Sequence, residues 1–583
     1  MILTELTRLY DRLADMQHDN EPLVPPYGFS IEKVSFCLIV RPDGELVRVE
    51  DVRDHAGTRP VPVSMDVPLH WKRPGSGVTP FFLCDNSAYL LGADAKGNPE
   101  RSAACHAASL QMHAALAEKA SDDSQLQAVA AFLKQATALS PPALDYYDEL
   151  IAGGNIVFRV DGHRFYVHQT ADATRLWMDW MASAHQGVPK GTCLVTGESG
   201  PIAAVHPAIK GVRGGQSTGV SIVSFNLDAF CSYGKSQGYN APISDSAAFK
   251  YVAALNHLTA DYKHRIQIAD STTVFWAERH TPFESVFQIA FSGDFDGEGD
   301  DAVRVQLLRL RDGKPLDQID EDVRFFVLGL APNAARASVR FWLRDTVGTF
   351  ARHLSEHLSD CAIERQYENQ HEIVPIWQLV NESARRYVGS GRERKTINGD
   401  PNPMLASALT RAVLTGVEYP RTLLAAFVGR VRADGEVNYV RMSAIKAVIS
   451  RRRRRNQKEE VPMALQKDFQ STGYQLGRLF AALERAQRAA LGEINATIKD
   501  RYFGAASSTP ARVFPILLRL SQHHIAKADW GRAADRTIAE IVDGITEFPK
   551  YLNLEEQGLF AIGYYHQRNE FFKRKEEREV ANG

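Results

Sequence analysis

The stretch from Gly191 to Asn240 holds the side chains best suited to chemistry. Long polar residues lie there among glycines, which allow backbone conformations that a Cβ forbids. Lys210 and Arg213 can pair with phosphate, and exposed backbone N–H groups of such a loop can form an anion-binding concavity. Gln216 and Ser217 add hydrogen-bonding groups. The stretch therefore predicts contact with a nucleic-acid backbone, and a plain long surface loop is the alternative interpretation.

Basic and amide side chains elsewhere suit the same chemistry. Lys72 and Arg73 lie in a Pro- and Gly-rich loop beside Trp71. That ring either stacks near DNA or lies in the core beneath a solvated loop. Arginine and lysine reach guanine edges or phosphates, and glutamine or asparagine can pair with adenine. Our candidates for contacting duplex DNA are Lys72, Arg73, Lys210, Arg213, Gln216, Ser217, Asn226 and Lys235.

The strongest local charge lies in residues 411–460. Twelve Lys or Arg stand there against five Asp or Glu, a net charge of +7. Such a cluster suits phosphate, but five consecutive arginines cover every face of a helix, so a solvated linker is the alternative. Our candidates for an electrostatic track along a nucleic-acid strand are Arg430, Arg432, Arg441, Lys446, Arg451, Arg452, Arg453, Arg454 and Arg455.

One short pattern suggests a nucleophile. Residues 197–201 read GESGP, which faintly resembles the loop that carries a serine nucleophile. Ser199 would need a base and an orienting carboxylate, and no recognisable second motif accompanies it. The sequence also holds no G-x-x-x-x-G-K-[ST] loop for ATP. We expect no catalytic residue, and an enzyme such as a metal-dependent nuclease with dispersed residues is the alternative.

Two further patterns suggest metal ions. His353, His357 and Cys361 repeat at helical spacing, but a third ligand two turns away does not easily reach the same ion. One face of a helical bundle is the simpler interpretation. DFDGEGDD, from Asp294 to Asp301, lacks the terminal glutamate of an EF-hand and reads as an acidic hairpin loop. We expect no metal site and no cofactor.

Periodicity predicts an α+β front and a helical rear. Two hairpins are expected, one joining 34–40 to 46–49 and one joining 155–160 to 163–168 around Asp161-Gly162. Further strands are predicted at 221–225, 272–276 and 303–310, and helices at 105–150, 174–183 and 246–261. Sheet signals stop near Pro332, and the predicted helices that follow are 335–358, 405–427, 440–453, 465–495, 510–526 and 533–546.

These elements define the expected fold class, α+β N-terminal and central regions followed by an all-α helical-bundle C-terminal region. A length of 583 residues suggests two to four domains. We expect an α+β N-terminal domain at 1–185 and a central α+β region with the Gly-rich loop at 186–330, continuous with that domain. A helical region with the arginine run should follow at 331–462, and a C-terminal helical bundle at 463–583.

Composition limits the setting of the chain. A net charge of −2 means that any nucleic-acid surface is a local patch. Six cysteines without a C-x-x-C pair argue against a zinc ribbon or disulfide framework and favour a reducing compartment. The first helix carries acidic residues unlike a signal peptide, and no window reaches eighteen apolar residues. We expect a cytoplasmic protein without membrane contact.

Several ungapped blocks resemble the large subunit of the type I-C Cascade complex of CRISPR systems. They follow in the family's order and cover nearly the whole chain, which makes the resemblance more specific than any single motif. The blocks are FFLCDN and YLLGAD between 81 and 94, the run 196–226, SYGK at 232–235, NAPIS at 240–244, VFWAE at 274–278 and LAPNAARASVRFW at 330–342.

The resemblance implies a non-catalytic subunit of an RNA-guided surveillance complex. Its relatives lie at the 5′-handle end of the crRNA, beside the handle-processing subunit, the backbone subunits and the small subunits. They recognise the protospacer-adjacent motif in double-stranded DNA, promote R-loop formation, hold displaced strand and support recruitment of the helicase-nuclease. The resemblance thus implies that the electrostatic track in residues 430–455 binds the displaced strand. A purely structural scaffold is the alternative. The family also makes its C-terminal part separately as the small subunit, and Met463 is the candidate internal start here.

Overall fold

The structure is a computed structural model, and it describes residues 1–18, 21–57, 59–70, 73, 77–136, 144–184, 187–293, 300–317, 319–388, 395–492, 496–528 and 531–573. The chain forms two compact units. Unit 1 comprises residues 1–260 and 333–337, and unit 2 comprises residues 261–332 and 338–583. The change of unit at residue 260 lies inside the region 186–330, and the four-part division of the sequence stays a prediction.

Unit 1 combines helices with short and long strands. Its strands are β1 (Gln17–His18), β2 (Glu21–Pro22), β3 (Phe29–Val40), β4 (Leu46–Asp51), β5 (Val63–Pro68), β6 (Cys84–Asp85), β7 (Asn155–Val160), β8 (Lys190–Thr192) and β9 (Ser199–Pro201). Its helices are α1 (Ile2–Asp15), α2 (Ser87–Leu90), α3 (Pro99–Lys119), α4 (Ser124–Gln135), α5 (Tyr147–Ala152), α6 (Ala171–Ala184) and α7 (Asp245–Ala260).

The long strand β3 is the centre of unit 1. Its first half pairs antiparallel with β5 and its second half with β4, while β7 runs parallel along its other side and pairs in turn with β6. The second half of β3 is buried at every residue, which agrees with its continuous apolar run. Trp177 of α6 stacks on Phe82 at 5.7 Å and donates a 2.6 Å hydrogen bond to the carbonyl of Gly28, so the core fixes α6 against the sheet.

Unit 2 begins with a sheet and continues in helices. Its strands are β10 (Arg265–Ile268), β11 (Ser271–Ala277), β12 (Arg324–Asn333), β13 (Arg336–Thr346), β14 (Arg386–Val388) and β15 (Lys395–Ile397). Its helices are α8 (Phe283–Ser292), α9 (Asp300–Arg311), α10 (Val347–Cys361), α11 (Ile376–Glu382), α12 (Pro403–Thr415), α13 (Arg421–Asp434), α14 (Tyr439–Arg455), α15 (Thr472–Leu491), α16 (Ile498–Ala506), α17 (Pro510–Lys527), α18 (Gly531–Asp543) and α19 (Leu554–Phe572).

Helix α19 is the centre of the C-terminal bundle. It packs closely on α15, because a Cβ at Gly477 would lie 2.0 Å from the carbonyl oxygen of Phe560. It also packs on α14, where a Cβ at Gly558 would lie 2.8 Å from Ile449. Glycines thus let backbones approach more closely than side chains allow. The described helices of the bundle share one continuous apolar core with α10, α14 and their neighbouring helices.

The expected fold class is confirmed. Sheets and helices alternate in the N-terminal and central parts of the described chain, and helices dominate the C-terminal part. The hairpin of β3 and β4 and the strand over 272–276 form as predicted. Helices at 174–183 and 246–261 form within one to three residues of the expected bounds. The predicted 405–427 helix is two helices, because Gly416 takes φ +66° and Pro420 follows.

Four predicted elements are wrong. Residues 163–168 form no second hairpin strand, since β7 already has β3 and β6 as neighbours. Residues 303–310 belong to helix α9, which buries Leu307 and Leu310 on one face. Most of 335–346 is strand β13 rather than helix. Residues 221–225 form only a single bridge, from Ser221 to Arg336, instead of a strand.

Candidate nucleic-acid interface

Residues 210–219, here called the Gly-rich loop, are closed at their base in unit 1 by one antiparallel bridge. Ile209 and Val220 exchange two backbone hydrogen bonds of 2.8 and 2.9 Å at its base. A Cβ at Gly219, whose φ is +93°, would lie 2.8 Å from the carbonyl oxygen of Ile209. Glycine at this position is therefore a requirement of the closed base.

Helix α7 fixes the first residue of the Gly-rich loop. The backbone N–H of Lys210 donates to Asn256 at 2.7 Å, and its carbonyl accepts from Thr259 Oγ1 at 2.9 Å. The Lys210 Nζ lies 2.9 Å from both carboxylate oxygens of Glu32 on β3. The lysine is half exposed, and the glutamate is largely buried. Lys210 is thus a tether between loop and sheet whose charge is already paired with Glu32.

Two consecutive turns present the other loop candidates to solvent. Gly215 donates to the carbonyl of Val212 at 3.1 Å, and Gly219 donates to that of Gln216 at 2.9 Å. Arg213, Gln216 and Ser217 lie on these turns and are exposed. The structure therefore brings three of the predicted duplex-contacting residues together on one exposed loop.

A second loop, residues 226–240, joins the Gly-rich loop through residues 333–337. Ser221 exchanges backbone hydrogen bonds of 3.1 and 2.9 Å with Ala335 and Ala337. Between these two alanines, the Arg336 guanidinium donates to Asn226 Oδ1 and lies 4.4 Å above the Phe230 ring. Asn226 is consequently engaged within the protein, and Arg336 is a basic residue of this surface that the sequence did not single out.

Asn240 holds the far end of the second loop. Its side chain accepts from the Ser232 N–H at 2.8 Å and donates to the carbonyls of Lys235 and Gln237 at 3.1 and 3.0 Å. Lys235 is exposed beside Tyr233, whose side chain is 99% exposed and whose φ is 54°. A non-glycine residue in that region carries strain and marks a candidate functional position. The sequence reasoning missed Tyr233, although it lies in the SYGK block.

Arg73 has a different environment from the loop candidates. Its guanidinium pairs with the buried carboxylate of Asp85 and lies between the rings of Phe81 and Tyr89, 3.8 and 3.9 Å from their centroids. Its Nε also donates to the carbonyl of Thr79 at 2.8 Å. These contacts make Arg73 part of the packing. Lys72 and Trp71 lie outside the described residues.

The candidates on helix α14 are mostly buried. Arg441 is 0% exposed and directs its donors to Glu382 at 3.0 Å and to both oxygens of Asp434 at 2.6 and 3.0 Å. Lys446 donates to the carbonyls of Asp360 and Ser359 at 3.1 and 3.4 Å, at the C-terminal end of α10. Burial lowers the pKa of Lys446. These two side chains join helices and are not available to a nucleic-acid strand.

The arginine run is the last turn of α14, and much of it is also internal. Arg451 donates to Asp360 at 2.7 Å and to the carbonyls of Ala412 and Val417 at 2.9 and 3.1 Å. Arg454 pairs with the same aspartate. Arg453 is buried and donates to the carbonyl of Glu459 at 2.7 Å. The run is thus neither a linker nor a uniformly exposed track.

The remaining basic candidates reach the surface of unit 2. Arg432, Arg454 and Arg455 are exposed, while Arg430 and Arg452 are half-buried. Arg430 and Arg386 both line a groove of about 770 Å³, together with Asp400 and several small residues. Arg432 donates to Gln557 at 3.3 Å and Arg455 to the carbonyl of Gly416 at 2.6 Å. The exposed guanidiniums that can serve a track are fewer than the sequence predicted.

The helical histidine–cysteine pattern is engaged in packing contacts. His357 binds the hydroxyl of Tyr419 at 2.7 Å and lies 3.8 Å from the Cys361 Sγ in the helical core, where burial lowers the pKa of the imidazole to about 3. His353 binds the carbonyl of Leu414 at 2.9 Å instead. Among the described residues, no three His, Cys, Asp or Glu side chains are placed to hold a metal ion. The acidic stretch at 294–299 lies outside them.

A comparison with known families identifies the family to which the chain belongs. The family model for a CRISPR-associated protein (Cas_Csd1) matches residues 6–572, nearly the whole chain. The chain therefore belongs to the Cas_Csd1 family, the large subunits of type I-C Cascade complexes. No curated protein matches the chain. Of the helices that the structure describes, none combines the length and apolar character needed to cross a membrane.

Proposed function

We propose that this large subunit recognises the protospacer-adjacent motif in double-stranded DNA through the Gly-rich loop and the 226–240 loop, without catalytic activity of its own. The observation that carries the proposal is the joining of these two exposed loops through residues 333–337, which puts Arg213, Gln216 and Lys235 on connected segments. Family membership supplies the setting, an RNA-guided complex that binds DNA.

The chemistry of the loops suits a short duplex motif. An arginine reads guanine edges or holds phosphate, while glutamine pairs with adenine or reads the minor groove. Guide pairing reads the rest of the target in RNA-guided systems, so a protein needs only a few base contacts beside backbone contacts. Lys210 adds a conditional charge, because its Nζ is 2.9 Å from Glu32 until a phosphate competes for it.

The helical unit suits the later steps of target opening. We assign the displaced strand to the groove lined by Arg430 and Arg386, together with the exposed Arg432 and Arg455. An electrostatic track of this kind needs no sequence preference. R-loop formation, recruitment of the helicase-nuclease, and contacts with crRNA, backbone subunits, small subunits and the handle-processing subunit complete the proposed role in the cytoplasm.

The test is selection of a motif by guide-loaded complexes assembled with and without this chain. Duplexes would carry a randomised short motif beside a fixed, matched target. We expect motif selection only when the chain is present, and weaker selection with Arg213→Ala or Gln216→Ala. Arg175→Ala is a matched control, because Arg175 is an exposed arginine of α6 in the same unit.

Three results would contradict the proposal or a part of it. Unchanged motif selection without the chain would leave the subunit as a scaffold. Dissociation of the complex by both loop variants, with normal motif selection in the complexes that remain intact, would assign the Gly-rich loop to a protein partner. Cleavage of free DNA by the purified chain with a divalent metal ion would refute the non-catalytic part.

A further inference from the structure

Helix α17 carries a row of basic side chains far along the chain from the basic segment 411–460. The sequence has no aspartate or glutamate in residues 501–528, which include all of α17, but four lysines or arginines and two histidines. Neighbours in sequence therefore do not balance the positive charge of this helix.

The basic residues of α17 lie on one exposed face. Arg512, Arg519, His523 and Lys527 follow one another at intervals of seven and four residues, which return to the same side of an α-helix. All four are exposed, and we call them the α17 stripe. With a rise of 1.5 Å per residue, the stripe is about 22 Å long. A surface of this length and sign can follow several successive phosphates.

Contacts within the protein do not use the charges of the α17 stripe. Within the ranges that the structure describes, no ion pair or side-chain hydrogen bond engages Arg512, Arg519 or Lys527. Burial, followed by the charges of His523 and Lys527, lowers the pKa of the neighbouring His524. The stripe thus differs from the arginine run of α14, whose guanidiniums are largely internal.

An exposed aromatic ring lies beside the N-terminal end of the stripe. Residues 549–552 run along residues 508–511, and two backbone hydrogen bonds of 3.1 and 3.0 Å join the segments. The side chain of Tyr551 is 76% exposed there. Glu547 and Lys550 balance each other in charge, so the ring is what this segment adds to the stripe. Such a ring is a surface on which an unpaired base stacks.

We propose that the α17 stripe and Tyr551 bind single-stranded DNA, with phosphates on the cations and a base on the ring. The inference rests on the proposed function, in which unit 2 holds the displaced strand, and it adds a contact for that strand on the C-terminal bundle. A protein partner that covers Ile516 and Leu520, which are 40% and 36% exposed on the same face, is the competing occupant. DNA is favoured because cations in line follow a phosphate backbone.

The test measures binding of fluorescent dT20 to the purified full chain by anisotropy at several salt concentrations. A triple variant with Arg512→Gln, Arg519→Gln and Lys527→Gln should lower the salt slope by about 2, because each lost phosphate contact on a single strand removes about 0.7. Arg519→Lys keeps the charge and should keep the slope. Tyr551→Ala should weaken binding on the order of tenfold at an unchanged slope, because it removes stacking and no charge. Tyr551→Phe should bind like the wild type.

Arg536→Gln is the matched control, because Arg536 is an exposed arginine on α18 of the same bundle whose charge acts on Glu540. Thermal unfolding of each variant checks that the fold is retained. A triple variant with the salt slope of the control would overturn the proposal, as would a wild-type chain that does not bind dT20 or a larger loss of binding for rU20 than for dT20. Normal dT20 binding combined with release of the triple variant from the assembled complex would assign the stripe to a protein partner and overturn it as well.

Two measurements separate this inference from the proposed function. Motif selection on duplex DNA should be the same for the triple variant and the wild type. Arg430→Gln tests the groove on its own. A lower salt slope with Arg430→Gln, but not with the triple variant, would refute the α17 stripe and leave the assignment of the displaced strand to the groove intact.

Discussion

Removal of one buried carboxylate should destabilise unit 2 without removing a contact to DNA. Asp360 lies at the end of α10 and is 1% exposed. Its oxygens accept from Arg451 at 2.7 Å and from Arg454, and Tyr419 approaches at 3.5 Å. Asp360→Ala leaves the buried Arg451 guanidinium, 3% exposed, without its counter-charge. Breaking a buried pair in this way costs about 3–5 kcal/mol.

The magnitude can be checked by thermal unfolding. A loss of about 2 °C for each kcal/mol in a large domain gives a melting temperature about 6–10 °C lower for Asp360→Ala. Arg455→Ala removes one exposed donor to a carbonyl and should cost only about 1 kcal/mol. The urea midpoints of both variants report on folding, and protection of the displaced strand at low temperature reports on binding. Together they separate the two effects. Wild-type stability of Asp360→Ala together with lost strand protection would show that the arginine run faces nucleic acid and refute our reasoning.

Three other perturbations test the packing, the loop and the buried histidines. Gly477→Ala puts a methyl group 2.0 Å from a backbone oxygen of α19 and should lower the free energy of unfolding by on the order of 1–3 kcal/mol. Gly504→Ala, whose Cβ would lie 3.7 Å from its nearest neighbour, should not lower it. Equal urea midpoints for the two variants would contradict the close helix contact. Gly219→Ala should open the base of the Gly-rich loop and weaken duplex binding. The salt dependence of binding should stay the same, because no charge is lost. Unchanged duplex binding would mean that the shape of the loop is unimportant. Burial lowers the pKa of His206 to about 4 and that of His566 to about 3, below the usual 6.5, so the unfolded state binds more protons than the folded state between these values. The free energy of unfolding should therefore be highest above pH 6.5 and should fall towards pH 4 by about 1.4 kcal/mol for each pH unit and each histidine. A urea midpoint that stays constant between pH 7 and 5 would contradict this.

Local patterns predicted the elements that depend on local interactions. The hairpin of β3 and β4 has a turn signal at 42–44 and apolar strands on either side, and α7 has an unbroken helical pattern. The exposed loop with Arg213 and Gln216 was predicted from its glycine content, because glycines adopt positive φ values in the turns of loops in any fold.

The environments of the other candidates depend on partners that are distant in sequence, and local sequence patterns do not identify those partners. Arg441 meets Glu382 across 59 residues, and Arg451 meets Asp360 across 91. A count of charges over residues 411–460 includes these side chains but cannot assign their distant acceptors. The same limit applies to 163–168, where the turn signal is present but both edges of β7 are taken.

The packing of α19 has a consequence for assembly if the C-terminal segment is also translated from Met463. In the full chain the α19 face that carries Gly558 is covered by Ile445 and Ile449 of α14, and Tyr565 donates to the carbonyl of Glu364 at 2.7 Å. A separate copy would carry the same face uncovered. A free copy would therefore need another apolar surface to cover this face.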